Sequence, residues 1–199
     1  MGKAAALTRD VDLYRIDFKN KSISNGLGGT AAAFVNVNVN VGGAAYQGVE
    51  AQATWLIGSG LAAYANGSVN RATANDAGKQ ISAAPNMTAA LGALYNAGPW
   101  GASLPYKRIG AAYQKEYAAN PATDDDCTVA ADGNVDLGLS YTLQGVSAIA
   151  AKSLKLQLNV FNLANRQAVT AISPGKSLAG DQYTYQAPRS LQVSAKAMF

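Results

Sequence analysis

Arg189-Ser190-Leu191-Gln192-Val193-Ser194-Ala195-Lys196-Ala197-Met198-Phe199 is the stretch from which the rest of the chain can be read. Leu191, Val193, Ala195, Ala197 and Phe199 fall on one side of an extended backbone, and Ser190, Gln192, Ser194, Lys196 and Met198 on the other. Side chains of a strand alternate faces with a period of two, so the pattern predicts a strand with one apolar and one mostly polar face. About ten residues is also the length of a tilted strand that crosses a bilayer. A soluble sheet could carry one such stretch, so recurrence along the chain is what decides.

The pattern does recur. Leu154, Leu156, Leu158 and Val160 alternate with Lys155, Gln157 and Asn159, and Val135, Leu137, Leu139, Tyr141 and Leu143 alternate with Asn134, Asp136, Gly138, Ser140 and Thr142. Met87, Ala89, Leu91, Ala93 and Tyr95 do the same, and Leu61, Ala63, Ala65, Gly67 and Val69 give a weaker version. The longest run covers residues 34–57, with Val35, Val37, Val39 and Val41 opposite Asn36, Asn38 and Asn40, then Val49, Ala51, Ala53, Trp55 and Ile57 opposite Glu50, Gln52 and Thr54. That is longer than a bilayer requires, so part of it is expected to project beyond. The Val-Asn repeat can also be read as a low-complexity, aggregation-prone stretch.

Two segments slip phase. Tyr14, Ile16 and Phe18 oppose Arg15, Asp17 and Lys19, while Val11 and Leu13 sit in the other phase; Trp100, Ala102, Leu104 and Tyr106 give way to Ile109, Ala111 and Tyr113. A bulge or an exit from the membrane accounts for either slip. Pro105 lacks the amide hydrogen a ladder needs and counts against the second strand.

Short connections at Gly58-Ser59-Gly60 and Ala97-Gly98-Pro99, and a middling one over residues 144–152, alternate with long ones near residues 21–33, 73–85, 118–133 and 164–187. Short turns on one rim and long loops on the other are the habit of outer-membrane barrels. The expected fold is therefore all-β: an antiparallel transmembrane β-barrel segment of about eight strands, with both chain ends on the short-turn rim.

Composition narrows the function classes. Of the 199 residues 49% are hydrophobic but only 14% are charged, below the quarter usual for a soluble domain, and no apolar run is long enough for a membrane helix. Sixteen Lys and Arg against twelve Asp and Glu leave a net charge of +4, but the cations are scattered and not interleaved with aromatics, so no nucleic-acid partner is expected. With no histidine, the commonest metal ligand and general base is missing, and Cys127 follows Asp124, Asp125 and Asp126, which would hold its thiol protonated. That acidic run reads as a solvated loop tip rather than a cation site. No catalytic residue, cofactor or metal is assigned. The start, Met1-Gly2-Lys3-Ala4-Ala5-Ala6, does not have the form of a secretory signal.

Three stretches resemble the carboxy-terminal part of TonB-dependent outer-membrane receptors. Gly43-Ala44-Ala45-Tyr46-Gln47-Gly48-Val49-Glu50-Ala51 is similar to a mid-barrel pattern of that family. Leu158-Asn159-Val160-Phe161-Asn162-Leu163-Ala164-Asn165-Arg166 is similar to its penultimate strand, where an Asn-Leu pair opens the last long loop, although Ala164-Asn165 departs from the aromatic and acidic residues usual there. Tyr185-Gln186-Ala187-Pro188-Arg189 through Phe199 resembles its final strand, and residues 11–18 its Tyr-rich strands. The resemblance implies that residues 1–199 are the carboxy-terminal portion of a barrel of about 22 strands, without plug domain or signal peptide. It implies a parent that imports a scarce ligand such as a ferric siderophore, with TonB engaged only through parts absent from this chain. It also implies outer-membrane lipid as the surroundings, and the barrel-assembly machinery as a partner that reads Leu191, Val193, Ala195, Ala197 and Phe199 as an insertion signal. Ligand-binding residues are not assigned; Tyr183 and Tyr185, or Tyr113 and Tyr117, offer stacking surfaces, while an aromatic girdle is the expected place of most tyrosines. A stand-alone small outer-membrane barrel with a structural or adhesive role is the alternative, and an enzyme is not expected.

Overall fold

The computed structural model describes residues 6–20, 22–27, 35–40, 43–74, 81, 84–113, 128–173 and 180–199. Its strands are β1 (Ala6–Phe18), β2 (Ser22–Leu27), β3 (Val35–Asn40), β4 (Ala44–Gly58), β5 (Leu61–Ala74), β6 (Met87–Ala97), β7 (Trp100–Ile109), β8 (Asp132–Val135), β9 (Leu137–Val146), β10 (Ala151–Phe161), β11 (Val169–Ser173), β12 (Gln182–Tyr185) and β13 (Ser190–Met198). One antiparallel sheet runs in the order β1-β4-β5-β6-β7-β9-β10-β13, with β8 also pairing β7; β2–β3 and β11–β12 are separate two-stranded hairpins. The eight strands of that path are the eight expected from alternation.

Register aligns like with like. Leu13 faces Val49, Val49 faces Val69 and Val69 faces Met87, while Asp12 faces Glu50, Glu50 faces Ser68 and Ser68 faces Thr88. At the other end Leu156 lies between Tyr141 and Ala195, and Val160 between Leu137 and Leu191. A one-residue slip would exchange every apolar side chain for a polar one, so the two-fold pattern itself pins the pairing. The apolar face is bare: Leu13 is 80% exposed and Val193 78%. Among the described residues buried side chains are few and mostly alanine, and all but Ala151 lie toward the long-loop ends of the strands or beyond them.

Tight connections lie on one rim. Gly58, Ser59 and Gly60 take φ of 116°, 52° and 83°, a left-handed path that glycine allows on either side of the serine. The expected middling connection over residues 144–152 is also short, because β9 and β10 extend into it and only a 3-10 turn, Ser147–Ile149, remains between them with Ala150.

Several expectations need correction. The run over residues 34–57 is two strands, since Val35–Asn40 pairs with β2 and the main sheet resumes only at Ala44; Phe34 and Val41 lie outside the described residues. Neither phase slip is a bulge. The β1–β4 register is continuous from Ala6↔Leu56 to Phe18↔Ala44, and β6–β7 is continuous from Ala97↔Trp100 to Thr88↔Ile109. Instead, the chemistry of the faces changes along the strand: the apolar face of β1 ends at Leu13 and continues as Arg15 and Asp17, joined by an ion pair of 3.0 Å, while Tyr14, Ile16 and Phe18 lie on the same face as Asp10 and Asp12. Pro105 stays within β7, and its effect falls on the neighbour: opposite it the strand breaks at Asp136, whose N–H still donates to Pro105 O at 3.0 Å, whereas the return bond has no donor. The expected loops over residues 21–33 and 164–187 hold β2 and the β11–β12 hairpin.

Tyrosines also depart from the expected girdle. Tyr95, Trp55, Trp100 and Tyr141 are on the apolar face toward the short-turn rim, with Trp100 and Tyr141 edge-on at 4.5 Å. Tyr14 and Tyr64, however, lie on the polar face, each across from a glycine. A Cβ on Gly92 would fall 2.7 Å from the Tyr64 ring, and one on Gly48 would fall 2.6 Å from Val69 O and 2.8 Å from Tyr14 Oη. These rings cover bare backbone, as aromatics over glycines do in curved sheets.

Candidate functional site

The polar face offers two regions. In its middle, Asp10, Asp12 and Glu50 with Gln52, Asn66 and Ser68 line a depression of about 290 Å³, and Ser68 Oγ bonds Thr88 Oγ1 across strands at 2.8 Å. Carboxylates, amides and hydroxyls at alternate positions make a wettable wall. Among the described residues there is no group of three or more His, Cys, Asp or Glu able to hold a metal ion.

Toward the loop rim the polar face is closed over. Ala44 and Ala72 are buried with Ile81, against which Tyr46 and Ala84 pack, and Phe18 meets Tyr46 edge-on at 5.5 Å. Ile81 N–H donates to Ala72 O at 3.0 Å, which ties the segment after β5 back onto the sheet.

The most ordered polar cluster lies where β10 ends. Asn162, 3% exposed and with φ of 52°, turns the chain and fastens it in four directions. Its backbone N–H donates to Asp136 Oδ1 at 2.8 Å, its Nδ2 donates to Arg166 O at 2.8 Å and to Ala187 O at 2.9 Å, and its Oδ1 accepts from Arg166 N–H at 2.9 Å. Leu163 N–H donates to Val135 O at 2.7 Å, and Asn165 Oδ1 accepts from Arg189 N–H at 3.0 Å. Asparagine suits this place because it tolerates the left-handed conformation and presents both a donor and an acceptor. Asp136 stands at the strand break opposite Pro105, still bonded to it through its N–H, and its side chain accepts from Asn162. Both ends of the last long loop are thus pinned to the wall.

Beside this knot is a cavity of about 410 Å³. Ile109, Ala112, Val129, Val169 and Ala171 give it apolar walls, and Lys107, Asp132, Asn134 and Gln186 add polar groups. Arg166 Nη2 comes within 2.8 Å of Asp132 Oδ1.

Of the tyrosines named as stacking surfaces, Tyr113, Tyr183 and Tyr185 do not line this cavity. Tyr183 and Tyr185 are exposed on β12, paired with Ile172 and Val169; Tyr113 follows the Ala112–Val129 bridge; Tyr117, with Asp124, Asp125, Asp126 and Cys127, lies outside the described residues. Asn134, Asp136 and Gln186 carried no sequence signal of a site, and Asn162 signalled only the end of a strand.

On β13, Leu191, Val193, Ala195 and Ala197 share one face and pair with Val160, Leu158, Leu156 and Leu154. Phe199 follows them, 74% exposed, and Lys152 Nζ donates to its backbone oxygen at 3.0 Å.

A family model described as TonB dependent receptor-like, beta-barrel, matches residues 6–163. Among solved structures, the ferric yersiniabactin uptake receptor FyuA from Yersinia pestis superposes with a TM-score of 0.76 at 17% identity, over 100% of this chain and 29% of that one. The ferric citrate transporter FecA gives 0.72 at 18% identity, over 97% and 29%. The ferripyoverdine receptor of the outer membrane of Pseudomonas aeruginosa gives 0.67 at 20% identity, over 95% and 24%. The chain therefore spans 24–29% of the length of these three structures. No curated protein matches the sequence.

Proposed function

The chain belongs to the TonB-dependent receptor-like β-barrel family, and from that premise we propose that residues 1–199 are the carboxy-terminal wall of an outer-membrane receptor that takes up a scarce ligand such as a ferric siderophore. The observation that carries this reading is a path of eight strands in chain order whose register sets apolar beside apolar and polar beside polar through the middle of the sheet. The apolar face meets lipid and the polar face lines the interior, as in outer-membrane barrels generally. Backbone groups cannot be left unpaired in lipid, so the far edges of β1 and β13 require further strands. The small share of the solved receptors that this chain spans supports the same view, as does the iron chelate named for each of the three. TonB would act through segments outside residues 1–199, and the long loops and the knot at Asn162 would present the outer surface to the ligand. The role is transport rather than catalysis.

The last strand would carry the insertion signal, with Leu191, Val193, Ala195, Ala197 and Phe199 as the face read by the barrel-assembly machinery.

The test is genetic and then functional. The DNA upstream should continue in frame into more barrel and a plug, and the complete receptor, in a Gram-negative host stripped of its own iron receptors, should restore TonB-dependent uptake of labelled ferric chelates. An assembled receptor that imports none of them, or imports equally without TonB, ends the siderophore reading. A promoter and start site just upstream would favour a stand-alone small barrel of structural or adhesive role.

A further inference from the structure

We propose that the apolar, lipid-facing surface holds a site for an anionic, phosphate-bearing lipid headgroup at its long-loop rim, built from Arg15, Arg71 and Arg108 above an apolar groove. The inference rests on the reading of that face as the one that meets lipid. Each arginine is the next residue on the face beyond the apolar stretch of its strand, following Leu13, Val69 and Tyr106, and each is exposed. Arg15 pairs with Gln47 and Gln47 with Arg71, so two guanidinium groups flank one amide, about 10 Å apart at the backbone. Arg108 lies in a lower row, that of Gly67 and Ala89, and strand tilt brings it toward the same height.

Below the Arg15–Arg71 row, and reaching Ala89 beside Arg108, the same face is hollow. Ala51, Ala65, Gly67 and Ala89 leave a groove of about 560 Å³ edged by Val69 and Met87. An acyl chain suits this groove, and its phosphate would then stand among guanidinium forks, which hold phosphate oxygens two at a time. A free phosphate gains nothing from the groove, and a chain without net charge gains nothing from the arginines. The charges of the face agree. Its one carboxylate among the described strands of the main sheet is Asp17, paired with Arg15 at 3.0 Å; both are more than half exposed, so the pair gives way to a better acceptor at little cost. Neither Arg71 nor Arg108 has an ion-pair partner among the described residues. Arg9, between Leu7 and Val11 on the edge strand, adds a further cation to the groove. The opposite rim of the face differs in kind. Trp55, Tyr95, Trp100 and Tyr141 stand there, as rings do at a membrane boundary, and Lys152 is engaged by the Phe199 backbone oxygen at 3.0 Å.

Binding can be measured without transport. The full chain in dodecyl maltoside micelles is titrated with dihexanoyl phosphatidic acid, dihexanoyl phosphatidylcholine and inorganic phosphate, followed by phosphorus NMR. Phosphatidic acid should bind at least about tenfold more tightly than either of the others. Arg15→Gln, Arg71→Gln and Arg108→Gln should each weaken it about fivefold, and Asp17→Asn should tighten it. Lys155→Gln removes the same charge from the polar face and should leave the affinity unchanged. Ala51→Leu fills the groove and should weaken both lipids alike. Phosphatidylcholine or inorganic phosphate binding as tightly as phosphatidic acid, or an equal loss from Lys155→Gln, overturns the proposal. No binding of either lipid overturns it together with the lipid-facing reading. A receptor that keeps the preference for phosphatidic acid but imports no ferric chelate loses only its transport reading, so the two fail separately.

Discussion

Asn162 combines two requirements at that position: a left-handed backbone, and a side-chain amide whose nitrogen donates to both ends of one loop while its oxygen accepts from the near end. Asn162→Gly removes the side chain's three bonds but keeps the backbone relaxed, while Asn162→Ala removes them and adds the strain of a Cβ at φ of 52°. The alanine variant should therefore unfold in urea about 1–2 kcal/mol more easily than the glycine variant, and both more easily than the parent sequence. Equal stability of the two would show that the backbone strain is relieved elsewhere. Glycines under tyrosines allow a second comparison. On Gly92 the nearest atoms a methyl meets all belong to the Tyr64 ring, which can swing aside, whereas on Gly48 the nearest is the carbonyl oxygen of Val69, which cannot. Gly48→Ala should cost about 1–3 kcal/mol and Gly92→Ala distinctly less, with Tyr64→Ala in the same chain removing most of the Gly92→Ala penalty. If Gly92→Ala proves the more damaging, the ring over Gly92 is not free to move.

Strands show why some of this architecture is legible in sequence and some is not. β13 and β10 read correctly because each has one environment on either face for its whole length, so alternation maps directly to register. β1 does not, because its face chemistry changes after Leu13 while its backbone does not. Val35–Asn40 alternates as cleanly as β4, yet its partner is β2 in a hairpin beyond the sheet; period two reports an extended backbone and says nothing of which neighbour it pairs with. The cavity was illegible for another reason. Its lining comes from β7, β8, β11, the Ala112–Val129 bridge and the segment between β12 and β13, residues far apart in sequence that carry no local pattern. Face assignment on the last strand is directly testable. Val193→Lys should lower stability in lipid vesicles by about 2–4 kcal/mol, and Gln192→Lys, one residue away on the polar face, by less than about 1 kcal/mol. Similar losses at both positions would mean that β13 does not present Val193 to lipid. Deleting Phe199 from the receptor should reduce the assembled amount without changing ligand affinity per assembled molecule; unchanged assembly would remove the signal role.

An even number of strands in sequential order puts β1 and β13 antiparallel to one another at opposite ends of the path, each with one ladder filled and one open. Every strand of the path between β1 and β13 has neighbours on both sides, so most of its amides are bonded, whereas alternate amides of β1 and β13 point away from their partners β4 and β10. Two closures are conceivable and they make opposite demands. A narrow eight-strand barrel would join β1 to β13 and would have to fill its interior with side chains. The polar face is poorly suited to that, because Asp10, Asp12 and Glu50 would be crowded into a space too small to hydrate them. A wide wall leaves those carboxylates beside water and seeks its missing neighbours elsewhere. Hydrogen exchange of the chain in mild micelles separates the two. With the path open, alternate amides of β1 and β13 should exchange within minutes while those of β5 and β6 stay protected for hours, as expected when protection follows the local bonding pattern. Protection of β1 and β13 equal to that of β5 would mean that the two edges have found each other, and the narrow barrel would then be the structure this chain adopts by itself.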